Sequence, residues 1–127
     1  MTRIRILLVA LPALLRDILA ETLAREPDME IVGTVTTRAE LDELARPLYA
    51  NVVIITANGD DAWTLAARLT HDEPHAALLA ISVHGDRATL YVANRQPLAL
   101  DDVSPSAIVQ AIRDHCAANG STRLPPA

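Results

Sequence analysis

The sequence predicts an α/β domain built on a doubly wound, five-stranded, all-parallel sheet. Three observations carry that prediction. Short, almost wholly apolar runs recur along the chain, the pattern of strands covered on both faces. Segments with apolar residues at helical spacing separate them. Capping residues, prolines and glycines fall at the joints. The 127 residues make one domain of ordinary size. Strands alternating with helices imply parallel pairing through right-handed crossovers.

Ile4 to Val9 is the first strand. Pro12 suits the first turn of a helix. Leu15, Ile18, Leu19, Thr22 and Leu23 give that helix one apolar face, and it ends near Pro27. Met29 to Val35 reads as the second strand. Thr37-Arg38-Ala39-Glu40 is a capping box, in which the hydroxyl and the carboxylate satisfy backbone donors at a helix start. Leu41, Leu44, Ala45 and Leu48 form the stripe of the second helix. Val52 to Ile55 is the third strand, and the polar loop Asn58-Gly59-Asp60-Asp61 follows it. Ala62, Leu65, Ala66 and Leu69 mark a third helix, stopped by Pro74.

Ala77 to Val83 is the fourth strand. Gly85-Asp86 starts a fourth, shorter helix through Asn94, and Leu98 to Leu100 is a short fifth strand. Ser104-Pro105 supplies a cap and a first-turn proline for a last helix through about Ala118. Val109, Ile112 and Cys116 share one face of it. Gly120 is its expected C-cap. The expected domain spans residues 1–119, with 120–127 as a linker or frayed tail. Ligands of such folds gather at the carboxyl ends of the strands. The positions to inspect are therefore Ala10, Leu11, Thr56, Ser82 to His84, and Asp101 to Asp102.

Composition narrows the class. Half the residues are apolar and 21% are charged, which suits a packed core and not a disordered chain. A domain of this length buries roughly two thirds of its unfolded surface, so it needs no disulfide or metal to fold. Its single cysteine, Cys116, cannot close an internal bridge. Arg16 and Asp17 interrupt the longest early apolar stretch, so a membrane span is not expected. The N-terminus makes a poor signal peptide, and the expected location is cytoplasmic. The net charge is −5 and every fixed cation is Arg, because the chain contains no Lys. That balance, with only Trp63, Tyr49 and Tyr91 as aromatics, argues against direct nucleic-acid binding.

Six stretches carry a family likeness: Ile-Arg-Ile-Leu-Leu-Val (4–9), Leu-Leu-Arg-Asp (14–17), Glu-Pro-Asp-Met-Glu-Ile-Val-Gly (26–33), Asn-Val-Val-Ile-Ile (51–55), Ile-Ser-Val-His-Gly-Asp (81–86) and Asp-Val-Ser-Pro-Ser-Ala-Ile-Val-Gln-Ala-Ile-Arg (102–113). Together they make the chain resemble the response-regulator receiver domain of two-component signalling, of the LuxR/NarL type that precedes helix-turn-helix effectors. The resemblance implies a flavodoxin-like (βα)5 fold with strand order 2-1-3-4-5. It also implies a phosphorylation pocket, and there the sequence departs from the family. Ala10 and Leu11 stand where an acidic pair would help hold magnesium. Thr56 stands at the phosphoacceptor aspartate, and Asp101 at the lysine that pairs with the phosphoryl group. Ser82 alone keeps the family's residue type, a hydroxyl. Leu98 replaces the strand-5 aromatic, and the third-strand loop lacks the usual Pro-Gly turn. A hard cation wants carboxylate oxygens, and a dianionic product wants cations and donors; neither set is present.

The implied protein is a degenerate, phosphorylation-independent receiver with no catalytic residues, metal or cofactor. It would act as a regulatory homodimer, feeding a DNA-binding effector absent from this chain. Family members pair through the first and last helices, or through the face of the fourth helix, fifth strand and fifth helix. Two alternatives stand beside this. One is a small-molecule sensor using the vacated strand-end pocket, rimmed by Asn58, Trp63 and His84. The other is a stand-alone protein-interaction domain. A Thr56–Asp101 hydrogen bond across the strand ends is a further expectation.

Other residues admit two readings each. His71 and His75 are spaced for a metal on a continuous helix, but Pro74 between them favours solvated loop positions. Asp60 and Asp61 are a displaced phosphoacceptor or a helix cap with first-turn charge. Cys116 is an intermolecular disulfide partner or a reduced helix thiol. Trp63 packs or covers the vacated pocket. Ser82 is a relic of phosphoryl binding or a strand-end hydroxyl satisfied by backbone.

Overall fold

A computed structural model of the protein describes residues 3–37 and 50–115. The expected second helix, the capping box beyond Thr37, Tyr49, Cys116, the C-cap at Gly120 and the tail lie outside the described residues. The elements are β1 (Ile4–Val9), α1 (Ala13–Ala24), β2 (Met29–Val35), β3 (Val52–Thr56), α2 (Gly59–Asp72), β4 (Ala77–Ile81), β5 (Ala88–Val92), β6 (Leu98–Ala99) and α3 (Pro105–His115). The fold class is α/β. The strands form one mixed sheet in the order β2-β1-β3-β4-β5-β6.

The apolar runs explain the centre of the sheet. β1 pairs in parallel with β2 and β3, and β3 with β4. Every residue of β4 is buried, and in β3 every residue but Thr56. Alternate side chains feed two cores, as the strand period requires. Ile6, Leu8, Ile54, Leu79 and Leu90 share one core with Leu19 and Leu23 of α1 and Ile108 and Ile112 of α3. Leu7, Val9, Val53, Ile55 and Leu78 share the other with Ala62, Ala66 and Leu69 of α2. Asn51 ties the strand starts together at the far end of the sheet. Its Oδ1 accepts from the Arg5 N–H at 2.8 Å, and its carbonyl accepts from the Ala77 N–H at 2.8 Å.

Helix ends follow local chemistry. Ser104 caps α3: its Oγ accepts from the Ala107 N–H at 3.3 Å, and its carbonyl accepts from the Ile108 N–H at 3.0 Å. Asp102 braces the cap by accepting from the Ser104 N–H at 3.0 Å. Arg113 then clamps α3 to the α1–β2 turn. Its Nε and Nη2 donate to the two carboxylate oxygens of Asp28 at 2.9 and 2.8 Å. Nη2 also donates to Glu26 Oε1 at 2.6 Å. This fork holds the Asp28 carboxyl below its usual range, chiefly through the Arg113 hydrogen bonds, and pushes the Arg113 guanidinium further up. In α1, Leu19 and Leu23 are buried, but Ile18 is 40% exposed beside Leu14 at 74%. The expected inward face of this helix is therefore rotated away from Ile18.

The structure corrects the expected five-stranded, all-parallel sheet. No fourth helix spans Gly85 to Asn94. The chain turns back after Ile81 and lays β5 antiparallel on β4, with Ile81 opposite Ala88 and Leu79 opposite Leu90. The physical reason lies in the segment itself. Ala88 and Leu90 are buried while Thr89 and Tyr91 are half-buried, a period of two in residues that favour strands. Gly85 at φ +75° makes the turn, a conformation glycine adopts without strain. The strand expected over Leu98 to Leu100 forms as β6, antiparallel to β5 through Leu90–Leu98 and Thr89–Ala99. It runs in the direction expected of a fifth strand, but one place further from β4.

Candidate functional site

The carboxyl ends of β3 and β4 and the start of β5 enclose a cleft of about 500 Å³. Its lining brings together three of the expected residues: Asn58, Ser82 and His84. Asp86, Arg87 and Tyr91 complete its polar wall. The expected helix over this segment hid these three. The signals that reveal them are the alternation from Ala88 to Val92 and the Ser82–Gly85–Asp86 turn spacing.

Ser82 organises the turn. Its Oγ donates to Asp86 Oδ1 at 2.8 Å. The same oxygen accepts from the Asp86 N–H at 3.2 Å and the Arg87 N–H at 3.1 Å. Its backbone N–H donates to the Arg87 carbonyl at 2.9 Å, and its carbonyl accepts from the Gly85 N–H at 2.8 Å. The hydroxyl is thus fully engaged in closing the β4–β5 connection, as the backbone-satisfied reading expects. The Ser82 hydroxyl also holds the Asp86 carboxyl below its usual range. This Ser–Asp pair fixes the β4–β5 loop.

Asn58 holds the cleft from the other side. It is the N-cap of α2, with extended backbone and no side-chain cap bond. Its Oδ1 instead accepts from the Val83 N–H at 3.0 Å. That bond ties the β3–α2 loop to the β4–β5 loop. Asp60 and Asp61 lie in the first turn of α2, where negative charge favours the helix dipole. Trp63, one turn into α2, is 57% exposed. It stands edge-on to Tyr91, ring centroids 6.1 Å apart and planes at 66°.

The remaining expected positions disperse. Ala10 sits at φ 52° and donates its N–H to the Val35 carbonyl at 2.9 Å, joining the α2-side core. Leu11 turns to the opposite core. Thr56 closes β3 opposite Ile81, its Oγ1 buried. Asp101 is exposed just beyond β6. β4 and β5 intervene between Thr56 and Asp101. Three strand spacings put them roughly 14 Å apart, so the expected Thr56–Asp101 hydrogen bond is corrected: neither side chain spans that gap. His71 lies in the last turn of α2 while His75 lies beyond its end, its Nε2 3.7 Å from Glu73 Oε1. Among the described residues no group of three or more His, Cys, Asp or Glu side chains is placed to hold a metal ion. Among them, too, no helix is long and apolar enough to cross a membrane. The chain matches no protein-family model and no curated protein.

Proposed function

We propose that this chain is a phosphorylation-independent pseudo-receiver that acts as a regulatory dimerisation module. The observation that carries the reading is the state of Ser82. At the one position where the sequence keeps the family's hydroxyl, that hydroxyl is used to close the β4–β5 turn. The other positions that the resemblance assigns to the pocket are Ala10, Leu11, Thr56 and Asp101, which supply neither a carboxylate cluster for a divalent cation nor a cation for a phosphoryl group. The segment from Ser82 to Leu100 forms two antiparallel strands in place of the expected helix and strand.

Pairing has a surface to use. Leu14 and Ile18 are four apart on α1 and expose 74% and 40% of their surfaces. α1 packs beside α3 on the same face of the sheet. The partner is a second copy of this chain, and the output would pass to a DNA-binding effector beyond it. Sedimentation equilibrium over a concentration series tests this. A dimer that Leu14→Glu and Ile18→Glu convert to a folded monomer supports the reading. A wild-type monomer at every concentration overturns it.

The cleft of about 500 Å³ favours small-molecule sensing as a second reading. A metabolite that raises the melting temperature in proportion to its concentration would support it.

A further inference from the structure

We propose a second binding site, in the groove between α2 and β5, for a planar aromatic carboxylate. The proposal rests on neither reading above, because this groove lies beside the strand-end cleft and away from α1. The groove holds about 470 Å³, within the range of small-molecule pockets. It exists because β5 replaces a crossover helix, leaving the α2 side of Tyr91 half-buried.

Three features define the ligand. The first is aromatic. The chain has one Trp and two Tyr, yet Trp63 and Tyr91 meet at 6.1 Å on this groove. Trp63 stays 57% exposed, an uncommon exposure for so large an apolar surface, and one that a stacked ring would cover. The second is small size. Ala66, Ala67 and Ala93 line the groove beside the rings, leaving a slot suited to a flat ring system. The third is charge. Arg95 and His71 line the groove, and its described lining contains no carboxylate. The Arg95 side chain makes no ion pair or hydrogen bond among the described residues. Its charge is permanent, so it repels a cation that would otherwise suit the aromatic pair and attracts an anion. The neighbouring strand-end cleft sets the Asp86 carboxylate beside its own cation, Arg87, whereas no carboxylate among the described residues lines the groove. Asp72 lines an adjoining open cleft that shares Ala67 and His71 with the groove, and there Arg68 stands in the same lining.

The test is amide and indole chemical-shift mapping of the whole chain with 1-naphthoate, using 1-naphthamide as the uncharged control. An open groove and a ligand of this size predict a Kd on the order of 1 mM. The expected shifts centre on the Trp63 indole, Thr70, His71, Tyr91 and Asn94. The carboxylate should bind about 5-fold tighter than the amide, a difference set by one exposed charge-assisted contact. Arg95→Gln, at an exposed position, should remove that difference while leaving the fold unchanged. Ala67→Leu, also exposed, should fill the slot and abolish both ligands' shifts. Absence of naphthoate shifts, shifts centred on Asn58 and Asp86, or equal binding of acid and amide would each overturn the proposal.

Discussion

Leu90→Ala tests whether the segment after β4 is a strand with one buried face. Leu90 is 1% exposed. It lies opposite Leu79 of β4 and Leu98 of β6 and packs in the core shared with Ile108 and Ile112. Truncation removes three carbons, about 2.4 kcal/mol of transfer energy at ~0.8 kcal/mol each. The cavity left behind adds to that. A shallow cleft of about 150 Å³ beside Leu90, Val92 and Leu98 lets the site collapse in part, which keeps the cost near the low end for Leu→Ala. The predicted loss is about 3 kcal/mol. Urea unfolding should show a midpoint about 2 M lower with m unchanged, for m near 1.5 kcal/mol/M. Thr89→Ala, one residue away on the opposite face, should cost less than about 1 kcal/mol. The contrast between neighbours is the signature of period two. Equal costs at positions 89 and 90, or a Leu90→Ala loss below about 1 kcal/mol, would refute the strand assignment.

Three other perturbations have defined outcomes. Gly85→Ala should destabilise by about 1 kcal/mol in thermal or chemical unfolding; the cause is the positive φ, since an added Cβ meets nothing within 4 Å. Ser104→Ala should cost about 1 kcal/mol by removing the α3 cap, and Ser104→Asp should recover most of it. Arg113→Gln should cost about 1 kcal/mol at neutral pH, discounted because the fork is more than a third exposed. Its pH dependence has a definite sign. The folded Asp28 carboxyl is depressed by Arg113, so the clamp's contribution is present above the unfolded carboxylate pKa of about 4. It fades as pH falls through the depressed folded value. Wild type and Arg113→Gln should therefore converge in stability on acidification, and a constant difference down to pH 2 would contradict the clamp.

Much of the sheet was legible because its strands are buried on both faces. The runs at Ile4, Val52 and Ala77 have nowhere to go but the centre of an α/β sheet, and Ser104-Pro105 marks the start of α3 by chemistry that tertiary contacts do not override. Ala88 to Val92 was harder. Its apolar residues fit a short helix or a strand, and Gly85-Asp86 serves as well for a hairpin turn as for a helix start. What decides is Ser82, whose hydroxyl accepts two backbone N–H groups that only the turn brings to it. That bond network is local, confined to residues 82 to 87, but it is not periodic, so the apolar pattern does not announce it and only the Ser82–Gly85–Asp86 spacing hints at it. The site followed the same logic. Asn58, Ser82 and His84 converge because β3 and β4 are neighbours, whereas Asp101 moves away because β5 is inserted between β4 and β6. Ile18 lies on the outer side because the apolar residues of α1, Leu14 included, span more than one face, and only packing against β1 and α3 decides which face turns inward.

Amide chemical-shift mapping with magnesium and beryllofluoride, a phosphoryl mimic, tests the central claim most directly. With Ser82 engaged in the turn and no carboxylate cluster beside it, resonances at Ala10, Thr56, Ser82 and Asp86 should be unchanged at millimolar concentrations of both reagents. Saturable shifts at Thr56 and Ser82, propagating into β5 and β6, would show a working phosphoryl pocket and contradict the account.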